Sequence, residues 1–168
     1  MWGGIYALLF SISTILSDEN PVKNGFPEGM AESYIKNSFS AVEFQNKIVG
    51  QEVQYSYYES KKFGPLQRGR SISLTDKGGL WVGYGFIRKV ELNRVLNFNF
   101  DFFPGFYMNN DEEDLGGWIM FRSGIELEYS INTDWKISLG YDHRSSGDIW
   151  KYNPGMETVK ISIIRNII

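Results

Sequence analysis

The sequence lacks cysteine and contains one histidine, His143, among its 168 residues. Without cysteine, neither disulfide bonds nor thiolate metal sites can form. Because no His/Asp/Glu cluster has metal-ligand spacing, a zinc site is not expected either. The net charge is only −3, so the chain has no basic surplus of the kind that binds nucleic acid. These absences argue against metal chemistry and against a nucleic-acid partner.

Long apolar runs and proline are also scarce, whereas glycine and aromatic residues are abundant. No stretch of about twenty apolar residues occurs, which excludes a transmembrane helix but leaves open a membrane β-barrel, whose signal is only alternation. Aromatic residues make up 16% of the chain, with 18 glycines and 5 prolines, and this composition favours strands over helices. The length predicts a single domain spanning residues 1–168.

Alternation of apolar and polar residues predicts eight strands. They cover residues 5–16, 38–46, 49–59, 79–90, 96–102, 118–129, 135–145 and 157–163. For the first of these, a retained signal segment is the alternative, although no basic residue precedes it and no A-x-A-like site follows. Residues 60–78 are polar and carry several cations, so we expect a long loop there.

The eight strands fit two architectures. One is an antiparallel up-and-down barrel of the outer-membrane type, with apolar rows facing lipid and long loops at one end. The other is a soluble lipocalin-like barrel, in which the same apolar rows point inward. The membrane interpretation places a balanced set of charges in the lumen, and this makes it the favoured one. The set consists of Arg122, Glu126, Glu128, Lys136, Asp142 and Arg144.

The segment 135–163 is a hairpin that carries the chemistry. Its apolar rows share one face, and at the loop end that face finishes in His143, Ser145 and Glu157. An imidazole, a hydroxyl and a carboxylate are the parts of a serine hydrolase. On one strand face, His143 and Ser145 have Cβ atoms about 6.5 Å apart. If paired residue numbers sum to 300, Glu157 lies opposite His143 at about 5 Å.

This hairpin resembles that of the lipid A 3-O-deacylase (PagL) family, whose pattern is His-x-Ser-Asn, a loop with Asn, and a Glu fourteen positions after the His. The resemblance implies that His143 is the base, Ser145 the nucleophile and Glu157 the orienting acid of a cofactor-free esterase. It also assigns Asn153 to the oxyanion site. Ser146 stands where the family usually has Asn, so it is a second candidate for that role.

The resemblance further implies an outer-membrane location with the site at the outer leaflet. The reaction that it implies is hydrolysis of the 3-O-linked acyl chain of lipid A. Homodimerisation is compatible with it. Lipid A phosphates would meet cations in outer loops, for which the candidates are Lys61, Lys62, Arg68, Arg70 and Lys151, although solvated loop charge explains them equally well. The acidic loop 109–117 is interpreted as solvated rather than as a cation site. A non-enzymatic membrane barrel and a soluble lipid-binding barrel remain alternatives.

Overall fold

The computed structural model describes residues 11–12 and 27–167, most of which are extended. Within residues 27–167, nine strands follow one another: β1 Glu28–Met30, β2 Ser33–Phe44, β3 Lys47–Phe63, β4 Leu66–Thr75, β5 Leu80–Glu91, β6 Leu96–Met108, β7 Ile119–Ser130, β8 Trp135–Ser145 and β9 Met156–Ile167. Across the part of the chain that the structure describes, no helix has the length and apolar character needed to cross a membrane.

Strands β2 to β9 form a closed antiparallel barrel. Each strand pairs with the next along the chain, and β2 pairs with β9 from Ser33↔Ile167 to Glu43↔Glu157. The short β1 adds only to the end of β3. The predicted eight-stranded up-and-down barrel is therefore confirmed.

Two strand predictions were wrong in detail. The barrel closes without residues 5–16; of these, only 11 and 12 lie within the described residues, and they are helical. The eighth strand is instead β4, which lies inside the stretch 60–78 that we expected to be a loop. β4 pairs with both β3 and β5 over most of its length, so backbone hydrogen bonds hold this polar segment extended.

The two faces of the barrel differ sharply in polarity. Outward positions are apolar and exposed, as at Leu139, Ile161 and Phe106. Inward positions are polar and buried, as at Ser138 and Lys160. Such an inverted barrel would expose its apolar rows to water in solution, and the hydrocarbon of a bilayer is the environment that suits them. The soluble lipocalin-like alternative is therefore excluded.

Ion pairs fill the lumen on the side of β8. Arg122 contacts Asp142 at 2.9 Å and Glu52 at 2.6 Å, and Glu52 also pairs with Arg144. Lys160 contacts Asp142 at 2.9 Å. Glu126 pairs with Lys36 at 3.1 Å, and Glu128 pairs with Lys89 at 3.2 Å and Lys136 at 3.6 Å. The predicted mutual neutralisation of lumen charges is therefore confirmed. The additional members are Lys36, Glu52, Lys89 and Lys160.

An aromatic layer occupies another part of the lumen. Tyr34 stacks on Tyr58 with ring centroids 4.4 Å apart, and Phe103 meets both Tyr58 and Trp81 edge to face. Together with the ion pairs, these rings make the barrel interior a packed core rather than an open channel.

The connections differ between the two ends of the barrel. One end, called here the loop end, carries segments 45–46, 76–79, 109–118 and 146–155, which include both long connections. The opposite end carries only segments 64–65, 92–95 and 131–134, together with the start of β2 and the end of β9. Short turns at one end and longer loops at the other are typical of outer-membrane barrels.

Candidate active site

His143 lies near the loop end of β8 and on the outer face, in line with the exposed Leu139. It is in register with one residue on each neighbouring strand: Glu157 on β9 and Ser123 on β7. The predicted pairing in which residue numbers sum to 300 is therefore confirmed. Ser123, His143 and Glu157 therefore form a row across three adjacent strands.

His143 and Glu157 are joined by a hydrogen bond. The His143 Nδ1 lies 2.9 Å from the Glu157 Oε1, and both side chains are largely shielded from solvent. A carboxylate in this position accepts the Nδ1–H, which leaves Nε2 with the lone pair that can take a proton. The geometry suits a general base held in one tautomer by its acid partner.

Gly155 fixes the position of the imidazole from the loop side. Its φ of +75° is in the left-handed region, and a Cβ built there would lie 2.5 Å from His143 Cε1. Only glycine combines that backbone conformation with so close an approach. The loop before β9 therefore covers the ring while Glu157 holds its Nδ1 edge.

Ser145 is the last residue of β8, on the same face as His143 and opposite Phe121 on β7. No hydrogen bond joins Ser145 Oγ to His143 in the described part of the chain, so the structure places the two side by side without bonding them. Such contacts often shorten only when substrate binds.

Asn153 and Ser146 organise the loop between β8 and β9. The Ser146 backbone N–H donates to Asn153 Oδ1 at 2.9 Å, and Asn153 Nδ2 donates to Asp148 Oδ1 at 3.0 Å. The Ser146 hydroxyl is fully buried and has no hydrogen-bond partner among the residues described. Both residues thus stand next to Ser145, with their observed hydrogen bonds made within the loop.

Four of the five cations considered for phosphate binding are not in loops at this end. Lys61 and Lys62 lie in β3 next to its turn at the opposite end, and Arg68 and Arg70 lie in β4, half-way round the ring from β8. The prediction of their location was wrong because β3 continues to Phe63 and residues 66–75 form a further strand. Lys151 is exposed in the 146–155 loop, at the expected end.

The two arginines of β4 are paired on the outer face. Glu59 accepts from Arg68 at 2.8 Å and from Arg70 at 2.9 Å. This sharing of one carboxylate reduces the charge that the two side chains present to the membrane.

The acidic loop 109–117 uses its carboxylates within the protein. Glu112 accepts from the Tyr107 hydroxyl at 2.6 Å, Glu113 pairs with Lys77 at 3.2 Å, and Asp114 accepts from the Gly116 N–H at 2.8 Å. Within residues 27–167, no group of three or more His, Asp or Glu side chains is arranged to hold a metal ion.

Sequence reasoning missed two residues that lie beside His143 and Glu157. Ser123 lies directly across from His143, and Glu43 on β2 lies directly across from Glu157. Both are distant in sequence from the hairpin, so the local spacing that pointed to His143 and Ser145 carries no signal for them. Only the register of the neighbouring strands could have revealed them.

Comparison with known proteins identifies the family. A family model described as lipid A 3-O-deacylase (PagL) matches residues 38–165, about three quarters of the chain. The chain belongs to the PagL family. The match includes the whole hairpin 135–163 with its His143–Glu157 pair and extends back into β2, so it covers six barrel strands completely and most of β2 and β9.

The fold is shared with several solved membrane barrels. The crystal structure of the outer membrane enzyme PagL superposes with a TM-score of 0.62 at 11% identity, over 80% of this chain and 99% of that one. Neisserial surface protein A superposes with a TM-score of 0.60 at 10% identity, over 83% of this chain and 99% of that one. A de novo designed transmembrane β-barrel superposes with a TM-score of 0.62 at 10% identity, over 83% of this chain and 98% of that one. At such identities these likenesses establish the barrel fold; a comparison with curated protein sequences found no match.

Proposed function

We propose that this protein is an outer-membrane esterase that hydrolyses the 3-O-linked acyl chain of lipid A. Membership of the PagL family supports the substrate class. The single observation that carries the chemistry is the hydrogen bond between His143 Nδ1 and Glu157 Oε1, made on the outer face beside Ser145. An acid-oriented imidazole next to a hydroxyl at a lipid-facing position has little structural purpose, because polar groups are costly there.

The reaction proceeds by acyl transfer to water. The Ser145 Oγ attacks the ester carbonyl carbon while His143 Nε2 takes its proton, and Glu157 stabilises the imidazolium. Collapse of the tetrahedral intermediate breaks the bond to the sugar oxygen, which receives the proton from His143. Water, deprotonated by His143, then releases the 3-hydroxy acid and restores Ser145. Asn153 and Ser146 remain candidates for contacts to the oxyanion.

The location of the triad sets where the substrate lies. His143 and Ser145 are at the loop end of the barrel wall, which we assign to the outer leaflet. An ester just below the lipid headgroups would meet Ser145 there without leaving the bilayer. Lys151 is exposed on the adjoining loop, and it is the cation that we propose meets a lipid phosphate.

Mass spectrometry of lipid A from cells that make the protein tests this function. The wild type should remove one 3-hydroxyacyl chain, whereas Ser145→Ala and His143→Ala should each leave lipid A intact, because a catalytic unit fails when either member is lost. Heat-modifiable gel migration reports folding independently of activity. Unchanged lipid A with folded wild-type protein would favour a non-enzymatic barrel, and near wild-type turnover by either variant would remove that residue from the triad.

A further inference from the structure

The oxyanion that forms in the proposed reaction needs hydrogen-bond donors, and two of the donors next to Ser145 along the chain are engaged within the loop. The Ser146 N–H donates to Asn153, and the Ser146 hydroxyl is buried away from the outer face. Asn153 uses one of its two amide N–H groups on Asp148. A further donor from outside the loop would add to the stabilisation of the developing charge.

Ser123 offers a hydroxyl on the other side of the imidazole. It is directly opposite His143, in the row whose far side is occupied by Glu157. Directly opposed side chains have Cβ atoms about 5 Å apart, and the diagonal distance from Ser123 to Ser145 is about 7 to 8 Å. This separation leaves room for an ester carbonyl, bound at Ser145 Oγ, between the two serines.

The Ser123 hydroxyl is available as a hydrogen-bond donor. No hydrogen bond engages its hydroxyl within residues 27–167, and yet the residue is 4% exposed. The Ser123 Oγ itself is not fully buried, so the oxygen keeps some access to the outer surface. The neighbours Phe121 and Ile125 on the same face of β7 are apolar, so Ser123 is a polar interruption of a lipid-facing row beside the imidazole.

We propose that the Ser123 hydroxyl is an oxyanion donor of this active site. It donates its hydrogen to the carbonyl oxygen of the ester as Ser145 Oγ bonds to the carbonyl carbon and the π electrons move onto that oxygen. The bond strengthens as negative charge develops, so its contribution appears in kcat rather than in KM. This inference rests on the proposed function, because it takes Ser145 as the nucleophile.

Steady-state deacylation of lipid A in detergent micelles by the full-length, folded protein is the first test. Ser123→Ala should lower kcat by about 10²- to 10³-fold with KM nearly unchanged, the usual cost of one lost oxyanion donor. Ser123→Thr keeps the hydroxyl and should recover most of the activity. Ser138→Ala, which removes a buried lumen-facing serine of β8, is the matched control and should behave as the wild type. A kcat for Ser123→Ala within a few-fold of wild type would overturn the proposal.

Covalent labelling separates this inference from the substrate assignment. A fluorophosphonate bonds to the nucleophilic serine with loss of fluoride and develops charge on its phosphoryl oxygen, so it probes the oxyanion site without lipid A. Ser123→Ala should slow labelling of Ser145, located by peptide mass spectrometry. If the wild type labels at Ser145, is slowed by Ser123→Ala, and leaves lipid A intact, only the substrate assignment fails. Label found on Ser123, or none on the folded wild type, would overturn the donor role.

Discussion

Gly155 is the residue on which the position of the base depends most directly. Its left-handed backbone and its contact with the His143 ring are both incompatible with a side chain. Gly155→Ala should therefore displace the imidazole from Glu157 and reduce deacylation by at least tenfold, while backbone strain costs only about 1 to 2 kcal/mol of stability. Activity on lipid A and urea unfolding of the barrel measure the two effects.

Gly78→Ala is the matched control for this change. Gly78 also has a positive φ, +81°, but a Cβ there would meet only Asn110 at ordinary contact distance. It should show the same strain without the loss of activity. Equal activity losses in the two variants would mean that strain in the loops, rather than displacement of His143, is responsible.

Glu157 should be the most dispensable member of the triad. Without it His143 still accepts a proton, although less often in the right tautomer, so Glu157→Ala should lose less kcat than Ser145→Ala. Glu43 lies directly across from Glu157 and is a carboxylate that could replace it. Adding Glu43→Ala to Glu157→Ala should then deepen the defect beyond the product of the single effects, as measured by a double-mutant cycle of kcat. Strictly multiplicative effects would exclude substitution by Glu43.

At the scale of elements, the two long loops are packed against each other. Gly116, with a φ of +89°, lies so close to the Tyr152 carbonyl that a Cβ would overlap it. The rings of Trp118 and Trp150 also lie side by side, with centroids 6.5 Å apart. Since the 146–155 loop also carries Gly155 and Asn153, this docking helps to hold the site together.

Gly116→Ala should separate the two loops and lower kcat, with less effect on global unfolding because the strands are untouched. Trp fluorescence, which reports the environment of Trp118 and Trp150, should shift in parallel. Gly78→Ala again provides the control for a positive φ. Full activity together with a shifted spectrum would show that the site does not depend on loop docking.

Sequence reasoning recovered the strands whose outer rows are apolar, because lipid on one side and a polar lumen on the other produce strict alternation. It missed β4 because Arg68 and Arg70 occupy outward positions of that strand, so the pattern resembles a polar loop. The register of the catalytic hairpin was predictable from His143 and Glu157. Ser123 was not, because contacts between β7 and β8 depend on a register that local spacing does not encode.

At the scale of the whole molecule, the lumen ion pairs keep buried charges compensated. Arg122 contacts Glu52 and Asp142, and all three side chains are buried. Arg122→Leu removes one cationic partner from each of two buried carboxylates, which keep only Arg144 and Lys160, so we expect a loss of about 3 to 5 kcal/mol in the free energy of unfolding. Urea titration of the folded barrel measures it, and Ser40→Ala, which removes a buried hydroxyl without a partner in the described chain, should cost far less. A small loss for Arg122→Leu would mean that the remaining lumen cations compensate.

The outward position of His143 and Ser145 has a kinetic consequence. A site on the outside of the wall is supplied by lateral diffusion within the leaflet, so encounters depend on the packing of molecules in a plane and not on their concentration in water. Diluting lipid A with an inert detergent at constant bulk concentration should therefore lower the rate in proportion to its mole fraction at low occupancy. A rate that followed bulk concentration instead would imply that each substrate molecule first passes through water.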